Sequence, residues 1–80
     1  MMTLEIISPG KKIFSGKVKL VQVPGKKGAF EILQNHAPII STLAAGKVKI
    51  VTTDDEKSFV DITGGVVEVA NNNIIILVNS

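Results

Sequence analysis

Short runs rich in valine and isoleucine recur along this chain, and each is cut off by residues that turn a backbone. The runs cover residues 3–8, 17–23, 30–33, 47–52, 58–63, 66–70 and 74–78, and the separators read SPGKK, VPGKKG, TDDEK, GG and NNN. Glycine and asparagine tolerate positive φ, and proline fixes φ while removing a donor, so these separators act as turns for a physical reason. β-branched runs at this spacing predict an all-β fold, a sandwich or barrel.

Periodicity within the runs says which way they face. In KVKIV, Val48 and Ile50 share one face and Lys47 and Lys49 the other, the period of a half-buried strand. In KVKLVQV the phase slips: Val18 and Leu20 alternate with lysine, then Val21 and Val23 take the opposite parity. That slip predicts a bulge, or a strand passing between two sheets. IIILV is apolar on both parities and is expected to be covered on both sides, as a central or an interface strand. The stretch IISTLAA, with Pro38 ahead of it, competes for helix. Its two isoleucines and threonine, set among strand signals, predict extended backbone.

The whole chain, residues 1–80, makes a single domain near the lower size at which one apolar core suffices. It has no cysteine, so a disulfide framework, a thiolate zinc site and thiol catalysis are excluded. Apolar residues make up 45% of the chain, enough to supply the burial the core then needs. No uncharged apolar run approaches the ~20 residues that span a bilayer, so membrane association is expected only through a partner.

Charge is unevenly laid out. Every lysine but Lys57 lies at or before Lys49, whereas Asp54, Asp55, Glu56, Asp61 and Glu68 crowd the later segment. A nucleic-acid partner is disfavoured because the platforms for base stacking are missing: there is no Trp or Tyr, and three phenylalanines in a small core are expected to be buried. PGKKG lacks the glycine spacing and following Lys-Ser/Thr of a phosphate loop, and the acidic turn lacks a calcium-loop pattern. No cofactor or metal is expected. Lys57, in TTDDEKSF, resembles the hairpin-tip lysine of a lipoyl or biotinyl carrier domain, which stands as the alternative reading.

His36 is the only histidine. Catalysis by one imidazole needs a nucleophile, an orienting acid or further ligands converging on it, and the sequence offers no such set. Pro38 stiffens the backbone and biases Ala37 toward extended geometry, which suits presentation of a small docking patch. An apolar patch over residues 37–40 is expected to be exposed in the isolated chain.

Four stretches then occur in a characteristic order: LEIISPGKKIFSG (4–16), VQVPGKKGAFEIL (21–33), NHAPIIS (35–41) and FVDITGGVVEV (59–69). With their Phe-Ser-Gly, Val-x-Val-x-Gly-x-x-Gly, His-Ala-Pro and Gly-Gly…Glu-Val words, they resemble the N-terminal β-sandwich domain of the ε subunit of bacterial F-type ATP synthases. The resemblance implies a two-sheet sandwich of about ten short strands, more than the seven runs read directly. It implies a non-catalytic central-stalk (rotor) subunit that docks the γ subunit onto the c-ring and couples proton flow to ATP synthesis. The location implied is peripheral, at the cytoplasmic face of the bacterial inner membrane. By motif position, Ser8, His36, Ala37, Pro38 and Ser41 are implied γ contacts, and Lys26, Lys27, Gly28 and Ala29 the implied c-ring contact. The ring-facing loop of the family usually carries an acidic residue where this chain has two lysines, and Glu31 and Gln34 stand where glycine and proline are common. Relatives usually continue into a helical hairpin that restrains ATP hydrolysis; with the sequence ending at Ser80, that inhibitory and ATP-sensing arm is expected to be absent.

Overall fold

A computed structural model describes residues 1–79, and every regular element among them is a strand. In chain order these are β1 (Met2–Ser8), β2 (Lys11–Val23), β3 (Phe30–Ile32), β4 (Ile39–Leu43), β5 (Gly46–Thr52), β6 (Lys57–Ile62), β7 (Gly65–Ala70) and β8 (Asn73–Val78). The strands pair in the order β4-β7-β8-β1-β2-β5-β6, with β3 added to the far part of β2. All pairings are antiparallel except β1 with β8.

The sheet curls on itself to make the two layers of a β-sandwich, and β2 is the strand that joins them. Its first part pairs with β1 from Met2↔Val18 to Ser8↔Lys11, and its last part with β5 and β3. Between them the β2–β5 register shifts, so that Val18 and Leu20 face Thr52 and Val51 with Lys19 as the extra residue. That bulge is the physical content of the phase slip in KVKLVQV: it bends the strand and lets Val18, Val21 and Val23 all point inward. Eight strands are present where the resemblance implied about ten, and a bend without a break removes one division of the chain. One 13-residue strand serves both layers, and it begins at Lys11, earlier than the apolar pattern indicated. The other side of the curl is stitched by a Gly25↔Leu43 bridge, with Lys26 N donating to Thr42 O (3.1 Å) and Ala44 N to Pro24 O (2.7 Å).

Inward positions alternate as period two requires. Met2, Leu4 and Ile6 of β1, Val67 and Val69 of β7, and Ile74, Ile76 and Val78 of β8 meet Val18, Val21, Val23, Val48 and Ile50 in one continuous core. The stretch 39–43 is extended, as its residue types predicted. β8 is central in its layer, between β7 and β1, with one face covered by the core and the other open in the isolated chain, Leu77 being 53% exposed. One expectation fails: Phe59 is 58% exposed on β6, while Phe14 and Phe30 are only partly buried against the core. Composition gave the apolar supply, but which layer lies over which face is a tertiary matter.

Turns set the register. Pro9-Gly10 joins β1 to β2 with Gly10 at φ 83°, the positive φ a type II turn demands at its third position. Asn71-Asn72 joins β7 to β8 with φ of 52° and 63°, the pair of left-handed residues that a two-residue type I′ hairpin requires.

Candidate functional site

The segment between β3 and β4 carries the His-Ala-Pro word, and its geometry is fixed locally. His36 N donates to Leu33 O (3.1 Å), closing a four-residue turn whose third residue, Asn35, sits at φ 67°. Asparagine enters that region more readily than other side-chain-bearing residues. Its backbone N donates to Asn72 Oδ1 (2.6 Å), and Asn72 Nδ2 donates back to Asn35 Oδ1 (3.3 Å). The His36 ring turns onto its own loop, with Nδ1 2.7 Å from Ala37 O. A carbonyl only accepts, so this bond puts the proton on Nδ1. His36 is half-buried, whereas Ala37, Pro38 and Ile40 are exposed, Ile40 at 73%. Of the patch expected over 37–40, Ala37, Pro38 and Ile40 are exposed and Ile39 packs partly against the core.

The residues named from motif position do not form one cluster. Ser8 is 8% exposed and points inward, with its hydroxyl donating to Lys11 O at 3.4 Å, so its side chain shapes the β1–β2 turn. It lies at the Val78 and Gly65 end of its layer, while His36 lies at the Ala70 and Asn73 end, as the registers of β1, β8 and β7 dictate. Ser8 and His36 therefore mark opposite corners of the half built from β4, β7, β8 and β1. Ser41 is central in β4, partly buried and paired with Val67.

Between those corners lies the outer face of the layer. Its outward positions are Ile40 and Thr42 on β4, Val66, Glu68 and Ala70 on β7, and Asn73, Ile75 and Leu77 on β8. Cross-strand rows run Thr42, Val66, Leu77, Ile7 and Ile40, Glu68, Ile75, Glu5. The other half presents Lys47, Lys49, Lys57 and Asp61 outward around the exposed Phe59 ring, the ordinary charged coat of a solvated sheet.

The loop of Lys26, Lys27, Gly28 and Ala29 flanks the edge of β4 that faces away from β7. Together with Gly25 and Phe30 it borders one open concavity against Ile40, Ser41 and Thr42. Sequence position had assigned this loop and Ser41 to different partners; the curl of the sheet makes them neighbours. Neither Lys26 nor Lys27 has an ion-pair partner among the described residues, unlike Lys12 with Glu5 (2.7 Å), Lys47 with Asp61 (2.8 Å), and Lys19, which pairs with Asp55.

Lys57 does not occupy a hairpin tip. The β5–β6 turn is built by Asp55 N donating to Thr52 O and Thr52 N to Glu56 O, with Asp55 at φ 65° at the tip. Lys57 is already within β6, opposite Val51. A carrier lysine stands at the tip of its hairpin, a place taken here by Asp55, while the exposed Lys57 side chain leaves from the strand.

Motif reading missed Asn35, Asn72, Glu68 and Leu77. The NNN separator signalled a turn, but nothing local says what its side chains face, and no reading of the sequence singled out Glu68 or Leu77.

The chain matches the ATP synthase, Delta/Epsilon chain, beta-sandwich domain over residues 1–80. It is 40% identical over 75 residues to the ATP synthase epsilon chain of Chlorobaculum tepidum, covering 94% of this chain and 85% of that one. To the ATP synthase epsilon chain of Campylobacter hominis it is 43% identical over 77 residues, covering 95% and 59%. Among solved structures it superposes with a TM-score of 0.90 and 18% identity on a chain of the Euglena gracilis mitochondrial ATP synthase (OSCP/F1/c-ring in rotational state 1), covering 99% of this chain and 51% of that one. A chain of the Tetrahymena thermophila mitochondrial ATP synthase (central stalk/c-ring) gives a TM-score of 0.81 at 22% identity, covering 99% and 63%. At such identities those two likenesses speak for the fold. The match across the full sequence and the identity to the two epsilon chains settle the family: this chain belongs to the ATP synthase delta/epsilon chain β-sandwich domain family.

Proposed function

We propose that this chain is a non-catalytic part of the central rotor of an F-type ATP synthase, docking the γ subunit onto the c-ring and so coupling proton flow to ATP synthesis. In a bacterial cell it sits peripherally at the cytoplasmic face of the inner membrane, held there by its partners. The observation that carries this reading is the outer face of β4, β7 and β8, a sheet surface left largely apolar in a chain whose other half is charged. Contiguous exposed apolar surface marks interaction sites. The His36 corner, named from motif position as a γ contact, borders this face, so an element of γ lying across it reaches Ala37 and Ile40, whereas Ser8 marks the opposite corner with its side chain turned inward.

The loop of Lys26, Lys27, Gly28 and Ala29 stands beside the same face at the β4 edge and is left for the polar loops of the c-ring. Transmitting torque requires a stiff body gripped by two neighbours. A sheet whose two layers share one strand, with its curl stitched at residues 24–26, meets the first requirement.

The test is co-elution of the purified chain with γ, followed by retention of that pair on isolated c-ring. A stable complex burying upward of ~1,000 Å² is expected. Replacing Ala37 by a bulky charged residue should break it. A chain that runs alone beside γ at micromolar concentrations would sink the reading.

A further inference from the structure

Among the described residues, Glu68 is the only charged side chain on the outer face of β4, β7 and β8. It sits directly opposite Ile40 on one side and Ile75 on the other, and Pro38, Ile40 and Ala70 border the shallow depression it enters. Its carboxylate has no ion pair or side-chain hydrogen bond among the described residues, whereas Glu5, at the far end of the same row, is held by Lys12 at 2.7 Å. In water such a carboxylate is satisfied by solvent. Once the apolar residues around it are covered, that solvent is lost, and an unpaired buried carboxylate is strongly unfavourable.

We propose that Glu68 is the specificity determinant of this docking face, requiring its occupant to bring an arginine or lysine side chain, set among apolar residues, into the depression between Pro38, Ile40 and Ala70. This rests on the reading of γ as the occupant and adds the chemistry by which γ is selected. Charge complementarity argues against the other occupants. A second copy docking by the same face would place two carboxylates on one apolar surface whose own outward positions hold no cation to meet them. An anionic lipid surface would be repelled by it.

The experiment is a titration of γ with the complete chain at low and moderate salt, comparing wild type, Glu68→Gln, Glu68→Lys and a control, Glu56→Gln, in the β5–β6 turn. Glu68→Gln is expected to weaken binding by roughly 30-fold, the scale of losing one partner of a desolvated charge pair, and Glu68→Lys by more. The control should bind like wild type. All variants should keep the wild-type unfolding midpoint, because exposed substitutions away from special features change stability little. A cationic residue of γ whose replacement by glutamate restores binding to Glu68→Lys would identify the opposing group. Binding of both Glu68 variants within twofold of wild type, with wild type binding γ, overturns this proposal and leaves the docking reading intact. Failure of wild type to bind γ removes both. A dimer of the chain that Glu68→Lys dissociates would assign the face to a second copy and also overturn it.

Discussion

Asn35 and Asn72 hold each other across 37 residues of sequence, each in the left-handed region and each with its amide turned to the other. Asn72 belongs to the β7–β8 hairpin turn, so the turn that sets the register of two core strands also anchors the segment carrying His36, Ala37 and Pro38. Glycine would satisfy the φ of 63° at position 72, but only a short side chain with an acceptor also reaches the Asn35 amide.

This pair gives the first prediction. Asn72→Gly keeps the hairpin conformation but leaves Asn35 N without its acceptor, and should cost about 1 kcal/mol, the lower end for a donor left unpaired near solvent. Asn35→Ala, which adds the strain of a left-handed residue without a compensating side chain, should cost about 1–3 kcal/mol. Urea unfolding measures both. Equal stability of all three proteins would mean the pair is incidental.

Ile76 and Leu77 are adjacent in β8 and point to opposite faces, and the same truncation should separate them. Ile76→Ala removes a buried side chain opposite Ile6 and should destabilise by about 2–5 kcal/mol, a large part of the ~5–15 kcal/mol typical of a domain. Leu77→Ala should change stability by less than about 0.5 kcal/mol yet weaken γ binding. If Leu77→Ala unfolded the chain as readily as Ile76→Ala, the outer face would not be the free surface described.

Gly65 begins β7 where no side chain fits. A Cβ there would lie 2.2 Å from the Leu77 carbonyl oxygen, which is backbone and can yield only by shifting β8. Gly65→Ala is therefore expected to cost about 3 kcal/mol, the upper end for overpacking. Gly10→Ala meets nothing within 4 Å and should cost only the roughly 1 kcal/mol of a strained φ. Thermal unfolding of the two variants should rank them in that order, and a reversal would contradict the tight β7–β8 approach.

The lysine loop and the docking face are adjacent but answer to different partners in the proposed assembly. Replacing both Lys26 and Lys27 by glutamate should alter retention on the c-ring and its salt dependence, while leaving affinity for γ within a few-fold of wild type. Loss of γ binding on the same scale as Glu68→Lys would instead make the loop part of the γ interface.

Much of this was legible in the residues themselves. Period-two alternation in KVKIV placed Val48 and Ile50 on one face, the slip in KVKLVQV signalled a bulge or a passage between sheets, and NNN announced a turn. These depend only on steric preferences of neighbouring residues, and no distant contact is needed to read them. Phe59, expected inside and found exposed, escaped for the complementary reason. An apolar side chain is covered only if another layer lies over it, and local pattern says nothing about where that layer stops.

The amino-acid order alone determined that the chain is all strand, where most strands run, and the motifs by which the family is recognised, because these follow from φ preferences and side-chain alternation. The tertiary structure decided the rest. It placed Ser8 and His36 at opposite corners, set Lys26 beside Ser41, paired Asn35 with Asn72, and left Glu68 alone on an apolar face, since each of these depends on how β2 bends and on which strands pair across long loops.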